Sequence, residues 1–179
     1  MDADPYRERL LELLRQDSYR NEPVTLLSGK QSQYFNPKRT VLSAEGHFLV
    51  GWTFMHLLEE HAPGVSSVGG MGQGADPLAS AVSTVSYLFG RRIDAFLIRK
   101  DPRQTGYIDG PAGMHGPVAL LEDVVNSGGS TLIALRRARD AGFKVELVLT
   151  LMDREVGGCQ TLAKEVPTIS VFKFSELKL

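Results

Sequence analysis

The stretch Val118-Ala-Leu-Leu-Glu-Asp-Val-Val-Asn-Ser-Gly-Gly-Ser-Thr-Leu-Ile133 decides the fold. Its apolar start, Val118 to Leu121, predicts a strand that is covered on both faces. Glu122 and Asp123 stand at the carboxyl end of that strand, where open α/β sheets bind their ligands. Asn126-Ser-Gly-Gly-Ser130 then precedes a helix, and backbone N–H groups and the positive end of the helix dipole favour a phosphate there. Two acids beside such a loop indicate a ligand with a phosphate and vicinal hydroxyls, such as a ribose 5-phosphate.

Strands and helices alternate on both sides of this stretch. The hydrophobic periodicity predicts helices over about 5–17, 43–60, 77–88 and from the phosphate loop to 141, and strands over 66–70, 94–98, 118–121, 145–152 and 168–174. Residues 24–27 and 33–35 are expected to flank a hairpin or hood element. The alternation predicts an α/β fold, in which a parallel sheet carries helices on both faces. Residues 101–117 follow no period, and we expect a mobile loop there.

Length and charge narrow the class of protein. The 179 residues fit one domain with a sizeable core. Lys plus Arg is 20 and Asp plus Glu is 21, so nothing in the charge indicates nucleic acid or an anionic membrane as a partner. No apolar run approaches the roughly 20 residues of a membrane span, and the acidic N-terminus has no signal-peptide pattern. The single cysteine, Cys159, fits a reducing cytoplasm, and the histidines lack metal-ligand spacing with it.

Two further segments fall at the predicted ligand edge of the sheet. Gly70-Met-Gly-Gln-Gly74 follows a strand, and its glycines let the backbone approach a ligand closely. Arg99 and Lys100 end the next strand, where two cations suit a pyrophosphate leaving group. The segment from Arg103 to Gly106 could close over the site and exclude water. A plain glycine turn and a solvated charged turn are the alternative interpretations.

Arginines recur at two later places. Asp153 and Arg154 end the strand over 145–152, and an arginine there could make a bidentate contact with a ligand carboxylate. An ion pair with a neighbouring acid is an equally good interpretation. Arg136, Arg137 and Arg139 are expected to form a solvated helix face.

The stretch from Val118 to Ile133 resembles the phosphoribosyl pyrophosphate (PRPP) signature of the type I phosphoribosyltransferases. The resemblance lies in the apolar strand, the Glu-Asp pair, two spacer residues, a small polar loop with glycine and a closing serine. Nearly the whole chain is similar to the orotate phosphoribosyltransferases. Thr25-Leu-Leu-Ser-Gly-Lys-Gln-Ser-Gln-Tyr-Phe35 resembles the N-terminal segment of that family, and the stretches over 68–77 and 93–100 look especially like its actinobacterial members.

This resemblance implies a fold and a reaction. The fold would be the type I phosphoribosyltransferase α/β fold, a central and mostly parallel sheet flanked by helices, in one domain over 1–179 with a small N-terminal hood over about 1–40. The reaction would be Mg²⁺-dependent and would turn orotate and PRPP into orotidine 5′-monophosphate and pyrophosphate, in pyrimidine biosynthesis. The enzyme would be a cytoplasmic homodimer, and the mobile loop over about 101–117 of one subunit would cover the site of the other.

The resemblance also implies roles for particular residues. Catalysis would fall to Lys100, Arg103 and Asp123. The base would be bound by Phe35, Asn36, Asn126 and Arg154, with Arg154 holding the orotate carboxylate. Magnesium would be bound through PRPP, with Asp123 as the candidate protein ligand. The PRPP-binding residues would be Gly72, Gln73, Arg99, Lys100, Arg103, Thr105, Glu122, Asp123, Val124, Val125, Asn126, Ser127, Gly128, Gly129 and Ser130.

The chain departs from the family pattern mainly around the pyrophosphate. Arg103 and Thr105 stand where the family's mobile loop usually has a lysine and a histidine, and Gln73 stands where many members have a lysine. Arginine keeps the charge of lysine but not its compact geometry. Two alternatives therefore stay open at this point: a phosphoribosyltransferase for another base, and a non-catalytic relative that senses PRPP or a nucleotide.

Overall fold

A computed structural model describes residues 4–25, 31–103 and 106–178. The strands are β1 Tyr19–Thr25, β2 Gln31–Phe35, β3 Ser67–Met71, β4 Asp94–Arg103, β5 Gly106–Asp109, β6 Pro117–Val125, β7 Lys144–Asp153 and β8 Thr168–Lys173. The α-helices are α1 Pro5–Leu13, α2 Lys38–Val41, α3 Ala44–His61, α4 Ala75–Leu88, α5 Gly129–Asp140 and α6 Gly158–Ala163. A π-helical turn covers Leu14–Ser18, and a 3₁₀ turn covers Phe174–Leu177.

Six strands form the central sheet in the order β5-β4-β3-β6-β7-β8. Every neighbouring pair is parallel except β4 and β5, which are antiparallel. The predicted α/β class and mostly parallel sheet are therefore confirmed. Parallel strands place their carboxyl ends at one edge, so the segments that follow β3, β6 and β7 meet there.

The strand β6 shows why the sheet needs cover on both sides. Ala119 and Leu121 belong to a core cluster that also contains residues of α3 and α4. Val118 and Leu120 belong to a second cluster, which contains residues of α5 and α6. Successive side chains of a strand point to opposite faces, so an unbroken apolar run requires helices on both faces.

The strand ends differ from the sequence-based prediction. The strand predicted to end at Leu121 runs on to Val125, so Glu122 and Asp123 lie inside β6 rather than after it. The reason is that β7 is equally long, and its Thr150 and Asp153 still pair with Glu122 and Val125. The start of α3 is as predicted, because the Ser43 hydroxyl accepts a hydrogen bond from the Gly46 N–H at 3.1 Å.

The expected irregular loop over 101–117 is in part wrong. The strand β4 continues through Asp101 to Arg103, and β5 returns antiparallel to it. Residues 101–103 are exposed, so this part of β4 shows no apolar alternation that would have predicted a strand. The predicted mobility of the segment stays a prediction, and residues 104 and 105 lie outside the described part of the chain.

The N-terminal part contains a second, two-stranded sheet and packs against the main core. The strands β1 and β2 pair as an antiparallel two-stranded sheet, as the predicted hairpin required, although residues 26–30 between them lie outside the described residues. The helix predicted to reach residue 17 ends at Leu13 and passes into the π-helical turn. Leu10, Leu14 and Val41 pack into the same core cluster as Ala119. Across the described residues, no helix is long and apolar enough to cross a membrane.

Candidate active site

One cavity of about 670 Å³ lies at the carboxyl edge of β6 and β7. It brings together eight residues that the sequence predicted for ribose, phosphate or base: Phe35, Asn36, Glu122, Asp123, Val124, Asn126, Ser130 and Arg154. Sequence reasoning missed three lining residues, namely Gln33, Tyr34 and Pro37. These three residues are next to Phe35 and Asn36 in the sequence. Their proximity to those two predicted residues is the feature of the sequence that could have identified them.

Glu122 is buried at the floor of this cavity, with 7% of its surface exposed. Its Oε2 atom accepts hydrogen bonds from the Thr131 hydroxyl at 2.8 Å and from the Ser130 hydroxyl at 3.1 Å. Burial raises the pKa of Glu122 to about 7; the neighbouring Asp123 adds to this, and the two hydroxyls oppose it. Thr131 was not predicted, and it ties β6 to the first turn of α5.

Asp123 points toward the loop that follows β3. Its Oδ1 accepts a hydrogen bond from the Val124 N–H at 2.8 Å. A Cβ atom added to Gly74 would lie 2.5 Å from the Asp123 carboxyl carbon, closer than real Cβ contacts come. The absence of a side chain at Gly74 therefore lets the glycine loop approach the acid pair.

The loop between β6 and α5 has the geometry of an anion cradle. Gly128 adopts a left-handed backbone with φ +80°, and α5 begins at the next residue. Gly128 has no side chain to cap the first N–H groups of α5, which are free to bind an anion. On the other side, a Cβ added to Gly158 would overlap the Asn126 carbonyl, so α6 packs closely against this loop. Val125, Ser127, Gly128 and Gly129 belong to the cradle, although they do not line the cavity.

The cationic residues predicted to bind pyrophosphate lie on β4, the strand beside β3. Met71 at the end of β3 pairs with Ile98, so Arg99 and Lys100 come directly beside the glycine loop. A Cβ atom on Gly72 would lie 3.9 Å from Lys100 Cε. Gly72, Gln73, Arg99, Lys100 and Arg103 do not line the cavity, so the structure places them at the same sheet edge but beside it. Thr105 lies outside the described residues.

Asp109 holds two of these cations across the hairpin. Arg99 Nε donates to Asp109 Oδ2 at 2.5 Å, and Arg103 Nη1 lies 3.9 Å from the same oxygen. Sequence reasoning missed Asp109 because it fell in the segment expected to be irregular. Its contacts depend on the antiparallel return of β5.

Arg154 lies where the sequence predicted a carboxylate-binding residue. Its backbone N–H donates to the Val125 carbonyl at 3.0 Å, which fixes the end of β7 against the end of β6. Its guanidinium carbon lies 4.0 Å from the centre of the Phe174 ring, and that ring meets Phe35 edge-on at 5.9 Å. Partial burial lowers the pKa of the Arg154 guanidinium. Phe174 is a further residue that the sequence did not reveal, because it follows the last strand with no motif around it.

Comparisons with known proteins agree on one family. No family model matches the chain. The chain is 43% identical to the orotate phosphoribosyltransferase of Thermosynechococcus vestitus over 178 residues, which cover 96% of this chain and 93% of that protein. The crystal structure of the Mycobacterium tuberculosis orotate phosphoribosyltransferase in complex with Fe(III) dicitrate superposes with a TM-score of 0.87 at 33% identity, covering 98% of this chain and all of that one. A structure of the same mycobacterial protein in complex with PRPP superposes with a TM-score of 0.80 at 30% identity, covering 98% and 93%.

Proposed function

The chain belongs to the orotate phosphoribosyltransferase family, and from this premise we propose that the cavity of about 670 Å³ is its active site. The enzyme is a pentosyltransferase that converts orotate and PRPP to orotidine 5′-monophosphate and pyrophosphate in pyrimidine biosynthesis. Family membership favours this activity over the two alternatives that the sequence left open, another base and a non-catalytic sensor.

One observation carries the placement of the substrates: Arg154 lines the same cavity as the acid pair Glu122 and Asp123. We assign orotate to the Arg154 side, because a guanidinium binds a carboxylate through two parallel hydrogen bonds. The Phe174 ring packs against the Arg154 guanidinium, and Phe35, which contacts Phe174, would provide an apolar surface beside the base. Orotate would then lie between β2 and the end of β7.

We assign the ribose and its 5-phosphate to the other side of the cavity. Glu122 and Asp123 would accept hydrogen bonds from the ribose hydroxyls. The loop Asn126 to Ser130 would hold the 5-phosphate, because uncapped N–H groups and the helix dipole favour an anion at the start of α5. Support also comes from the family, since the mycobacterial relative was solved in complex with PRPP.

Magnesium fits this site only in company with PRPP. Among the described residues, no group of three or more His, Cys, Asp or Glu side chains could hold a metal ion. Mg²⁺ typically takes one or two carboxylates together with phosphate oxygens and water, and Asp123 is the carboxylate placed to contribute. When bound, the ion would supply positive charge to the pyrophosphate as it leaves.

In the transfer, a ring nitrogen of orotate loses its proton to solvent and forms a bond to the ribose carbon C1. The bond from C1 to pyrophosphate breaks, and its electron pair goes to the leaving group. We propose that Lys100, Arg99 and Arg103 stabilise the charge that gathers on pyrophosphate. Arg103 would take the place of the family's loop lysine, and Gln73 would add an amide rather than a charge in the glycine loop. The prediction that Thr105 binds PRPP from the same segment as Arg103 stays a prediction, because Thr105 lies outside the described residues.

We also propose a homodimer in which the segment over about 101–117 of one subunit covers the site of the partner. Support comes from Tyr87, Leu88 and Phe89 at the end of α4, which are 72%, 69% and 51% exposed. Such a cluster of exposed apolar side chains is typical of an interaction surface. The single domain with its N-terminal hood and a cytoplasmic location, which suits the unpaired Cys159, complete the proposal.

The assignment of Arg154 is tested by steady-state kinetics of Arg154→Ala with orotate and PRPP. We expect the KM for orotate to rise much more than the KM for PRPP, because only orotate brings a carboxylate to this arginine. Arg136→Ala, an exposed arginine of α5, is the control and should match the parent enzyme. Equal losses for both substrates would contradict the assignment.

The shared loop is tested by mixing two inactive variants, Arg103→Ala and Asp123→Asn. If each site takes its loop from the partner, mixed dimers contain one site with both native residues, and activity returns on mixing. Light scattering would establish the dimer independently. A dimer whose activity does not return would contradict the sharing of the loop.

A further inference from the structure

Arg137 makes contacts that the expectation of a solvated helix face did not anticipate. It projects from the middle of α5 toward the carboxyl edge of the sheet and is half-buried, whereas Arg136 and Arg139 are exposed. Its Nη1 donates to the Arg99 carbonyl, and its Nη2 donates to the Lys100 carbonyl at 2.9 Å. The expectation for Arg137 was therefore wrong.

The same guanidinium touches two more elements. Nη1 lies 3.2 Å from the sulfur of Met71, the last residue of β3 before the glycine loop. The guanidinium carbon lies 4.1 Å from the centre of the Tyr107 ring on β5. Arg137 thus joins α5 to three consecutive parts of the sheet edge: the end of β3, the outer part of β4 and the returning strand β5.

The backbone of β4 after Ile98 lacks regular strand pairing, so its carbonyls need other hydrogen-bond donors. Its pairing with β3 ends at Ile98, and its pairing with β5 shifts register between Ile98 and Arg103. The carbonyls of Arg99 and Lys100 fall in this irregular stretch. A guanidinium presents its N–H donors in a rigid planar fork, which lets one side chain serve two adjacent carbonyls while its face stacks on an aromatic ring.

We infer that Arg137 is a positioning residue, which orients the part of the β4 backbone that carries Arg99 and Lys100 without itself touching the substrate. This inference rests on the proposed assignment of Arg99 and Lys100 to pyrophosphate. Arg137 binds the carbonyls of the same two residues whose side chains would bind pyrophosphate. Removing its guanidinium should therefore let both side chains shift away from their binding positions. Glu122, on the ribose side of the cavity, is held by other contacts, namely the hydrogen bonds from Thr131 and Ser130.

The test compares two ligands that occupy different parts of the site. Calorimetry would measure binding of pyrophosphate with Mg²⁺ and binding of ribose 5-phosphate to the parent enzyme, to Arg137→Ala and to the control Arg136→Ala. We expect Arg137→Ala to weaken the binding of pyrophosphate by about 10-fold, which corresponds to about 1.4 kcal/mol. Binding of ribose 5-phosphate should be unchanged, and Arg136→Ala should bind both ligands like the parent.

Kinetics in the reverse direction give a second readout. For Arg137→Ala the KM for pyrophosphate should rise, and the KM for orotidine 5′-monophosphate should not. Arg137→Lys keeps the charge but lacks the fork, so it should fall between the parent and the alanine variant. It also replaces the alanine variant in every measurement if that variant does not fold.

Three outcomes would overturn the inference. Unchanged pyrophosphate binding would mean that Arg137 serves stability alone. An equal loss for pyrophosphate and ribose 5-phosphate would mean a general disturbance of the site. A parent enzyme that binds ribose 5-phosphate but no pyrophosphate would contradict the assignment of Arg99 and Lys100 to pyrophosphate, on which the inference rests. A parent enzyme that binds both ligands but forms no orotidine 5′-monophosphate would instead refute the proposed function, and the binding comparison would still test Arg137.

Discussion

Replacing Glu122 by glutamine should change how the stability of the protein depends on pH. Burial raises the pKa of Glu122 from an ordinary value of 4.5 to about 7 in the folded protein. Below pH 4.5 the carboxyl is neutral in both the folded and the unfolded chain. As the pH rises toward 7, the unfolded chain releases this proton while the folded protein keeps it, so the free energy of unfolding falls. Glutamine has no proton to release but can still accept the hydrogen bond from Thr131.

The size of the effect follows from the shift in pKa. From 4.5 to about 7 is a shift of about 2.5 units, and one unit corresponds to about 1.4 kcal/mol. The difference in unfolding free energy between the parent and Glu122→Gln should therefore fall by up to about 3 kcal/mol between pH 4.5 and pH 7. Other titrating groups are common to both proteins, so their contributions largely cancel in this difference.

Urea unfolding of both proteins at half-unit steps of pH from about 4.5 to 8 measures this difference. The control is Glu8→Gln, which makes the same substitution at an exposed carboxylate in the first turn of α1, outside the cavity. If the difference between the parent and Glu122→Gln stayed flat over this range, Glu122 would titrate like a solvated carboxylate. The reasoning from its burial would then be refuted.

Two further substitutions probe the acid pair and its supports. Thr131→Val removes the shorter hydrogen bond to Glu122, and such a bond to a charged group is worth about 1.5 to 3 kcal/mol. The pKa of Glu122 should therefore rise further, and the acidic limb of the pH profile of kcat/KM for PRPP should move to higher pH with it; an unmoved limb would show that Glu122 does not control it. Gly74→Ala places a methyl group 2.5 Å from the Asp123 carboxyl carbon, and displacement of that carboxylate should lower kcat/KM for PRPP by about 100-fold. Gly64→Ala, whose added methyl group meets nothing closer than 3.9 Å, is the control, and equal behaviour of the two alanine variants would contradict the assigned role of Asp123.

The sequence predicted the parts of the fold that depend on local pattern. An unbroken apolar run from Val118 required cover on both faces, and the two core clusters provide it. The acid pair lies near the carboxyl end of β6, and the phosphate loop and Arg154 follow β6 and β7. Because these strands are parallel, the convergence of the three groups at one edge could be inferred from their order along the chain. Eight of the predicted residues line one cavity for this reason.

Contacts between distant elements escaped prediction because no local pattern encodes them. Arg137 looks like its neighbours Arg136 and Arg139 in the sequence, and only the register shift between β4 and β5 gives it carbonyls to bind. Phe174 follows the last strand without any motif, yet it supports Arg154. Both cases depend on tertiary geometry, which hydrophobic periodicity does not report.

The pairing of Arg99 with Asp109 bears on the departures from the family's loop pattern. Pyrophosphate would have to compete with the Asp109 carboxylate for Arg99 and for Arg103. The Arg99 and Asp109 side chains are 37% and 29% exposed, and a pair that is open to solvent typically contributes no more than about 1 kcal/mol. A pyrophosphate with its magnesium offers several oxygens at once and can outcompete a single carboxylate held so weakly. We therefore expect Asp109 to keep the two arginines near the sheet edge before the substrate arrives, and on the proposed assignment Arg103 would serve where the family usually has a lysine.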